Sequence, residues 1–304
     1  MPVSPPLPEP PLQPLRLAWL ARAGVEAAVL RLDLIDPLIS GNKWFKLAHP
    51  LQAMAQAGLR GVISLGGAYS NHLHALAAAG QRLGFETVGL VRGHPMQTPT
   101  VADLQAFGMQ LHWLGYDGYR QRHAPGFWAP WQARYPHLLP VAEGAGGDLG
   151  ARGCAVLREY VDRQLAGLGW SGFEAWWLAV GTGTTLAGIV RAEQGRVPVH
   201  GAMAVPAGHG VESHVQALLG VDARGYHLHE ASAGGFAKTS ARLLDFIGHS
   251  EVESGVPLEP VYTGKALLAL HDHVAAGAFN RGTRLVFVHT GGLQGKRGAG
   301  PPRS

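Results

Sequence analysis

Between residues 61 and 114, short runs of branched apolar residues alternate with alanine- and leucine-rich runs at helical spacing, and this alternation constrains the fold more than any other feature of the chain. Gly61–Leu65, Thr87–Val91 and Gln110–Leu114 read as strands; Asn71–Leu83, closed by Gly84, and Thr100–Phe107 read as helices. The pattern returns after a glycine-rich crossing at Gly144, Gly146, Gly147 and Gly150. There a long amphipathic helix is predicted over Ala151–Leu168, with further helices over Leu186–Gln194, Val211–Leu219, Thr239–Gly248 and Gly264–Ala275. Strands are predicted over Ala175–Val180, Val199–Val205, Tyr226–Glu230 and Arg284–His289. Strands separated by helices pair in parallel, so the pattern predicts doubly wound α/β sheets. Nine or ten strands are too many for one small sheet and predict two sheets in two domains.

The beginning of the chain is less regular. Met1–Pro14 reads as an extended arm, Leu15–Leu20 as a short helix, and Val25–Leu34 as a strand stopped by Asp36-Pro37. A helix is expected from about Lys43, interrupted near Pro50 and ended at Gly58, with Asn42 a favoured cap. Tyr116–Tyr135 reads as irregular, and Leu138–Val141 closes the first unit.

The 304 residues are 46% hydrophobic and 15% charged with a net charge of +4, a composition that supports one large core or two moderate ones. The charge is not gathered into runs, which argues against a nucleic-acid binder and suits small anionic ligands. No apolar run is long enough for a bilayer, and the proline-rich start lacks the pattern of a signal peptide. A single cysteine, Cys154, permits no disulfide within the chain, and a reducing cytoplasm is the expected location. The end, from Gly295 to Ser304, reads as a frayed tail. Histidine pairs two apart (His72 and His74, His227 and His229, His271 and His273) have no zinc-like third ligand, so no metal site is expected.

Four stretches carry candidate chemistry. In Ser40-Gly41-Asn42-Lys43-Trp44-Phe45-Lys46-Leu47, Lys43 has a second cation on the same helical face and apolar neighbours. Both depress an amine's proton affinity and free it as a nucleophile. In Ser64–His72 a strand runs through Gly66-Gly67 into a helix, where Ser70 and Asn71 either cap the helix or project from the carboxyl edge of a sheet towards a ligand. Gly181-Thr182-Gly183-Thr184-Thr185 links an apolar strand to a helix and aims free amides and hydroxyls at one point, as a phosphate site requires. It carries neither a Walker lysine nor the third glycine of a dinucleotide fingerprint. Pro260–Lys265, with Tyr262, and His289-Thr290-Gly291-Gly292 complete the set.

In this order, from about Leu30 to Gly292, the stretches resemble the 1-aminocyclopropane-1-carboxylate deaminase and D-cysteine desulfhydrase family. It is a pyridoxal 5′-phosphate (PLP)-dependent branch of the tryptophan-synthase-β-like, type II fold. The resemblance implies two doubly wound, mostly parallel sheets, with a small domain of residues 48–141 inserted into a large one of residues 1–47 and 142–304. It makes Lys43 the Schiff-base lysine, with Lys46 helping to hold the cofactor. Asn71 is placed on the ring's phenolic oxygen, Thr182, Gly183, Thr184 and Thr185 on the phosphate, and Thr263 and Thr290 by the pyridine nitrogen. Ser70 and Tyr262 face the substrate as catalytic candidates, with Tyr69, Asn71 and His72 beside them.

The cyclopropane deaminases carry glutamate and leucine where this chain has Thr263 and Thr290. The resemblance therefore points to β-elimination from a small amino acid such as D-cysteine, giving pyruvate, ammonia and sulfide. Cyclopropane-carboxylate deamination, racemisation or dehydration, and a non-catalytic PLP carrier or sensor are the alternatives. Tyr69 replaces a frequent glutamine, and Trp44-Phe45 replaces a polar residue and arginine. The expected partners are a small amino-acid substrate and a second copy of the chain in a homodimer, with neither nucleic acid nor membrane.

Overall fold

The structure is a computed structural model and describes residues 7–298. Its strands are β1 (Leu12–Pro14), β2 (Glu26–Arg31), β3 (Gly61–Gly66), β4 (Glu86–Val91), β5 (Gln110–Trp113), β6 (Leu138–Pro140), β7 (Ala175–Val180), β8 (Val199–Met203), β9 (Tyr226–Glu230) and β10 (Arg284–His289). They form a six-stranded sheet in the order β1-β2-β10-β7-β8-β9 and a four-stranded sheet in the order β5-β4-β3-β6. Every pairing is parallel except β1 on β2. The smaller sheet is built wholly from residues 61–140.

Parallel strands need cover on both faces, and side-chain alternation supplies it. Along β7, Trp176, Leu178 and Val180 pack with Phe45, Leu157, Leu186 and Ile189. Ala175, Trp177 and Ala179 pack on the opposite face with Leu243, Ile247, Leu267 and Leu270. In the small sheet, Val62 joins Leu47, Leu73 and Leu76, whereas Ile63, Leu65 and Leu90 join Tyr119 and Leu138. Both indole N–H groups of β7 are satisfied, Trp176 by Glu193 at 2.5 Å and Trp177 by the Ala266 carbonyl at 2.8 Å.

Several expectations are corrected. The arm contains β1, held by Gln164, whose Oε1 accepts the Leu12 N–H at 2.8 Å. Residues 1–6 lie outside the described part. The first helix is Ala18–Ala23 rather than Leu15–Leu20. The strand beginning near Val25 stops at Arg31, where a 3-10 turn takes over. The Lys43 helix runs uninterrupted from Asn42 to Gln56 with Pro50 inside it. Proline removes one hydrogen bond there, but buried Phe45, Leu47, Leu51 and Met54 hold the helix on both sides of the defect. Gly41, not Asn42, occupies the cap.

The predicted long helix divides into Asp148–Ala155 and Leu157–Gln164, followed by a 3-10 turn. Tyr116–Tyr135 holds two short helices, Gly115–Arg120 and Ala129–Arg134. The helix expected over Thr239–Gly248 is Ala241–Ser254, capped by the Ser240 hydroxyl. Part of the expected tail is also ordered. Leu293–Gly298 forms a 3-10 helix in which Lys296 pairs with Glu251 and Arg297 with Asp103, while residues 299–304 lie outside the described part.

Candidate active site

Because β7 and β10 are neighbours, the loops leaving their carboxyl ends, Gly181–Thr185 and Thr290–Gly292, lie side by side. The Lys43 helix begins against the second of them. The Asn42 N–H bonds the Thr290 carbonyl at 3.1 Å, and the Gly41 N–H bonds the Leu32 carbonyl at 3.0 Å. Gly41 has φ 70° and ψ −152°, and a Cβ there would sit 2.0 Å from the Thr290 carbonyl oxygen. Only glycine fits this crossing.

Asn42 aims Lys43. Its side-chain N–H donates to Thr185 Oγ1 at 2.9 Å, which turns its Oδ1 towards the Lys43 amine, 2.7 Å away. Lys46 Nζ lies 3.5 Å from Thr182 Oγ1, and Thr182 and Thr184 share a hydroxyl contact at 3.0 Å. Burial holds the Lys43 amine well below the ordinary lysine range, and the Lys46 charge lowers it further against smaller opposing effects of Cys154 and Glu259. Burial also lowers Lys46 and raises the Cys154 thiol.

The Gly181–Thr185 loop opens the helix Thr184–Glu193, whose cap is Gly183 at φ 78°, so the cap residue offers no side chain to the amides at its amino end. Val215 closes over Gly183, where an added Cβ would meet Val215 Cγ2 at 2.3 Å. The adjoining His214 has a buried Nε2 without a partner among the described residues, and Lys46 is one of the charges that lower its proton affinity, after burial and His123. This imidazole, beside the loop on a surface-looking amphipathic helix, had no signal in the sequence.

The other candidates converge unequally. The Ser70 hydroxyl caps its helix, accepting the Leu73 N–H at 3.2 Å. Asn71 reaches Gly292, its Nδ2 lying 2.8 Å from where a Cβ at that glycine would stand. His72 is turned away onto Ser64, with Nε2 and Oγ 2.7 Å apart. Because Ser64 donates to the Val141 carbonyl at 2.8 Å, it accepts from His72 Nε2–H, and the buried Nδ1 has no partner among the described residues. Burial, with Lys43 and Lys46 close by, lowers His72 to about 3. Tyr69 is 51% exposed and stands at the rim.

The Tyr262 ring lies across Gly181, its Cε1 3.1 Å from that residue's Cβ position, and burial raises its phenol above the usual range. Phe236, which the sequence reading passed over, packs edge-on against Tyr262 at 5.9 Å. It belongs to a loop clamped by Lys265 Nζ on the Ser232 and Gly235 carbonyls at 2.5 and 3.0 Å. Thr263 is fully buried and bonded to Glu259. Thr290 follows His289, which is held between Asp33 at 3.1 Å and the Pro257 carbonyl at 2.6 Å. No cluster of metal-binding side chains and no helix long and apolar enough to cross a membrane occurs among the described residues.

The family model described as pyridoxal-phosphate dependent enzyme matches residues 9–291. The chain belongs to this family. It is 30% identical over 293 residues to a Pyrococcus abyssi protein with the provisional name 1-aminocyclopropane-1-carboxylate deaminase, covering 90% of this chain and 86% of the relative. It is 26% identical to the bifunctional D-cysteine desulfhydrase/1-aminocyclopropane-1-carboxylate deaminase, mitochondrial, of Arabidopsis thaliana, covering 90% and 73%. Among solved structures, an ACC deaminase homologue superposes with a TM-score of 0.83 at 24% identity, covering 96% of this chain and 92% of that one, and has the same fold.

PLP is therefore the cofactor of this enzyme family, and the site fits it. A depressed lysine amine stands near an uncapped helix end lined with threonine hydroxyls, with a second lysine on Thr182 to meet a phosphate.

Proposed function

We propose that the enzyme eliminates a β-substituent from a small amino acid such as D-cysteine, releasing pyruvate, ammonia and sulfide. The observation that carries this reading is the Lys43 amine, held by Asn42 and depressed by burial, one hydroxyl network away from the threonine loop. When bound, PLP supplies an electron sink for charge developing at the substrate's α-carbon. Lys43 would hold the cofactor and take the substrate's α-proton as general base, because burial favours the neutral form of its amine. Lys46 with Thr182, Gly183, Thr184 and Thr185 holds the phosphate. Asn71 would hold the ring hydroxyl, and Thr263 and Thr290 would serve the ring nitrogen. Tyr262, whose phenol stays protonated, presents a donor beside Ser70, while Tyr69 and Asn71 line the substrate side, His72 is held on Ser64, and Phe236 backs Tyr262.

Residues 48–141 are proposed to be the smaller domain, with the enzyme acting as a cytoplasmic homodimer. The specific observation favouring cyclopropane-ring opening as a second reading is a buried carboxylate, Glu259, on Thr263. Assaying D-cysteine, L-cysteine, D-serine and 1-aminocyclopropane-1-carboxylate for sulfide, pyruvate and α-ketobutyrate separates the readings. Sulfide and pyruvate from D-cysteine are expected. α-Ketobutyrate from the cyclopropane acid with no product from D-cysteine refutes the first reading.

A further inference from the structure

Glu259 is 1% exposed and lies four residues before Thr263. Its Oε2 accepts the Val261 N–H at 2.8 Å, and its Oε1 accepts those of Tyr262 and Thr263 at 2.8 and 2.6 Å. Burial raises its proton affinity, and these bonds oppose that rise. Three backbone N–H groups converge on its two oxygens, an arrangement that favours the ionised form. The geometry is that of a carboxylate ion.

The Thr263 hydroxyl has one proton to give. Its oxygen accepts the Glu259 N–H at 3.0 Å, and the proton faces Glu259, whose Oε1 lies at 3.2 Å and whose carbonyl oxygen lies at 3.5 Å. Towards any third group Thr263 therefore offers only a lone pair. The carboxylate is also close to the rest of the site. Glu259 Cγ lies 3.7 Å from the Cβ position of Gly292, the point that Asn71 Nδ2 approaches to 2.8 Å, and its charge is one that Lys43 senses.

We propose that Glu259 is the buried counter-charge for the ring nitrogen of bound PLP, acting through the Thr263 hydroxyl to hold that nitrogen protonated. This deepens the proposed function and rests on its placement of Thr263 beside the nitrogen. An unprotonated nitrogen would set its lone pair against the lone pair of Thr263. A protonated one donates into it and is stabilised by the ion behind. Glu259 thus supplies, from four residues earlier in the turn before the helix, the negative charge that a carboxylate at position 263 would place directly, and the site is a stronger electron sink than two threonines alone provide. Glu259 is a positioning residue in this arrangement.

The test is the ¹⁵N chemical shift of the holoenzyme reconstituted with PLP labelled at the ring nitrogen. Near neutral pH the wild type shows the protonated value. Glu259→Gln shifts it towards the unprotonated value, and so does Thr263→Val, which removes the relay and leaves the carboxylate in place. A wild-type signal at the unprotonated value, or a signal unmoved by either substitution, overturns the proposal. Should Glu259→Gln fail to fold, the wild type and Thr263→Val decide it. Failure of the wild type to take up labelled PLP at all, with no visible absorbance band, overturns the cofactor assignment on which the proposal rests.

Discussion

Replacing Gly41 with alanine tests how the lysine helix is joined to the sheet. The backbone there adopts φ 70° and ψ −152°, a region open essentially to glycine, where another residue costs about 1–3 kcal/mol. The new methyl would stand 2.0 Å from the Thr290 carbonyl oxygen and 2.7 Å from Gly291 Cα, both backbone atoms that no rotamer change can move. Overpacking of this kind costs about another 1–3 kcal/mol, giving about 2–6 kcal/mol in all. At about 2–4 °C per kcal/mol, the melting midpoint should fall by at least about 4 °C.

Two controls bracket the substitution. Gly172 has open space at its Cβ position and an unremarkable φ, so Gly172→Ala should stay within about 0.5 kcal/mol of the parent. Gly248 lies within the helix Ala241–Ser254 with nothing near its Cβ position, so Gly248→Ala should stabilise by up to about 1 kcal/mol. The assay is urea or thermal unfolding followed by circular dichroism. The reasoning is refuted if Gly41→Ala unfolds at the same midpoint as Gly172→Ala.

Further outcomes follow from the site and the sheet. Lys46→Met removes a cation that lowers Lys43, so the pH at which the Lys43 amine deprotonates should rise, read as an upward shift in the acidic limb of the activity profile. His273, His229 and His200 form a hydrogen-bonded file with N–N distances of 3.1 and 2.9 Å, and burial holds both His229 and His200 at about 4. Unfolded histidine titrates near 6.5, so the stability from keeping these rings neutral is complete above that pH and is lost as pH falls from about 6.5 to 4. His229→Gln should flatten this fall in a pH series of unfolding midpoints, whereas an unchanged slope contradicts the assignment. Asn42→Ala removes the hydrogen bonds of Asn42 to the Lys43 amine and to Thr185 and should slow cofactor attachment while costing about 1–3 kcal/mol of stability, measured by stopped-flow absorbance and by unfolding.

What could be read from the sequence was whatever local rules settle. Asn71–Leu83 ends at Gly84 in the left-handed conformation, as its composition requires, and the Gly181–Thr185 stretch turns from strand into helix as its glycines and threonines predict. Tertiary packing overruled the rest. Pro50 is tolerated because its helix is buried on both sides of the ring, and Asn42 serves Lys43 and Thr185 instead of capping. His214 and Phe236 reach the site from elements whose sequences resemble ordinary surface segments. Glu259 lies just before the Pro260–Lys265 stretch and had no signal of its own, since its proposed role depends on a bond to Thr263 that only the folded turn creates.

Reduction of the holoenzyme with borohydride, followed by peptide mapping, tests the central assignment most directly. The account predicts a pyridoxyl group on Lys43 alone. A label on Lys46 or Lys265, with Lys43 unmodified, would contradict it.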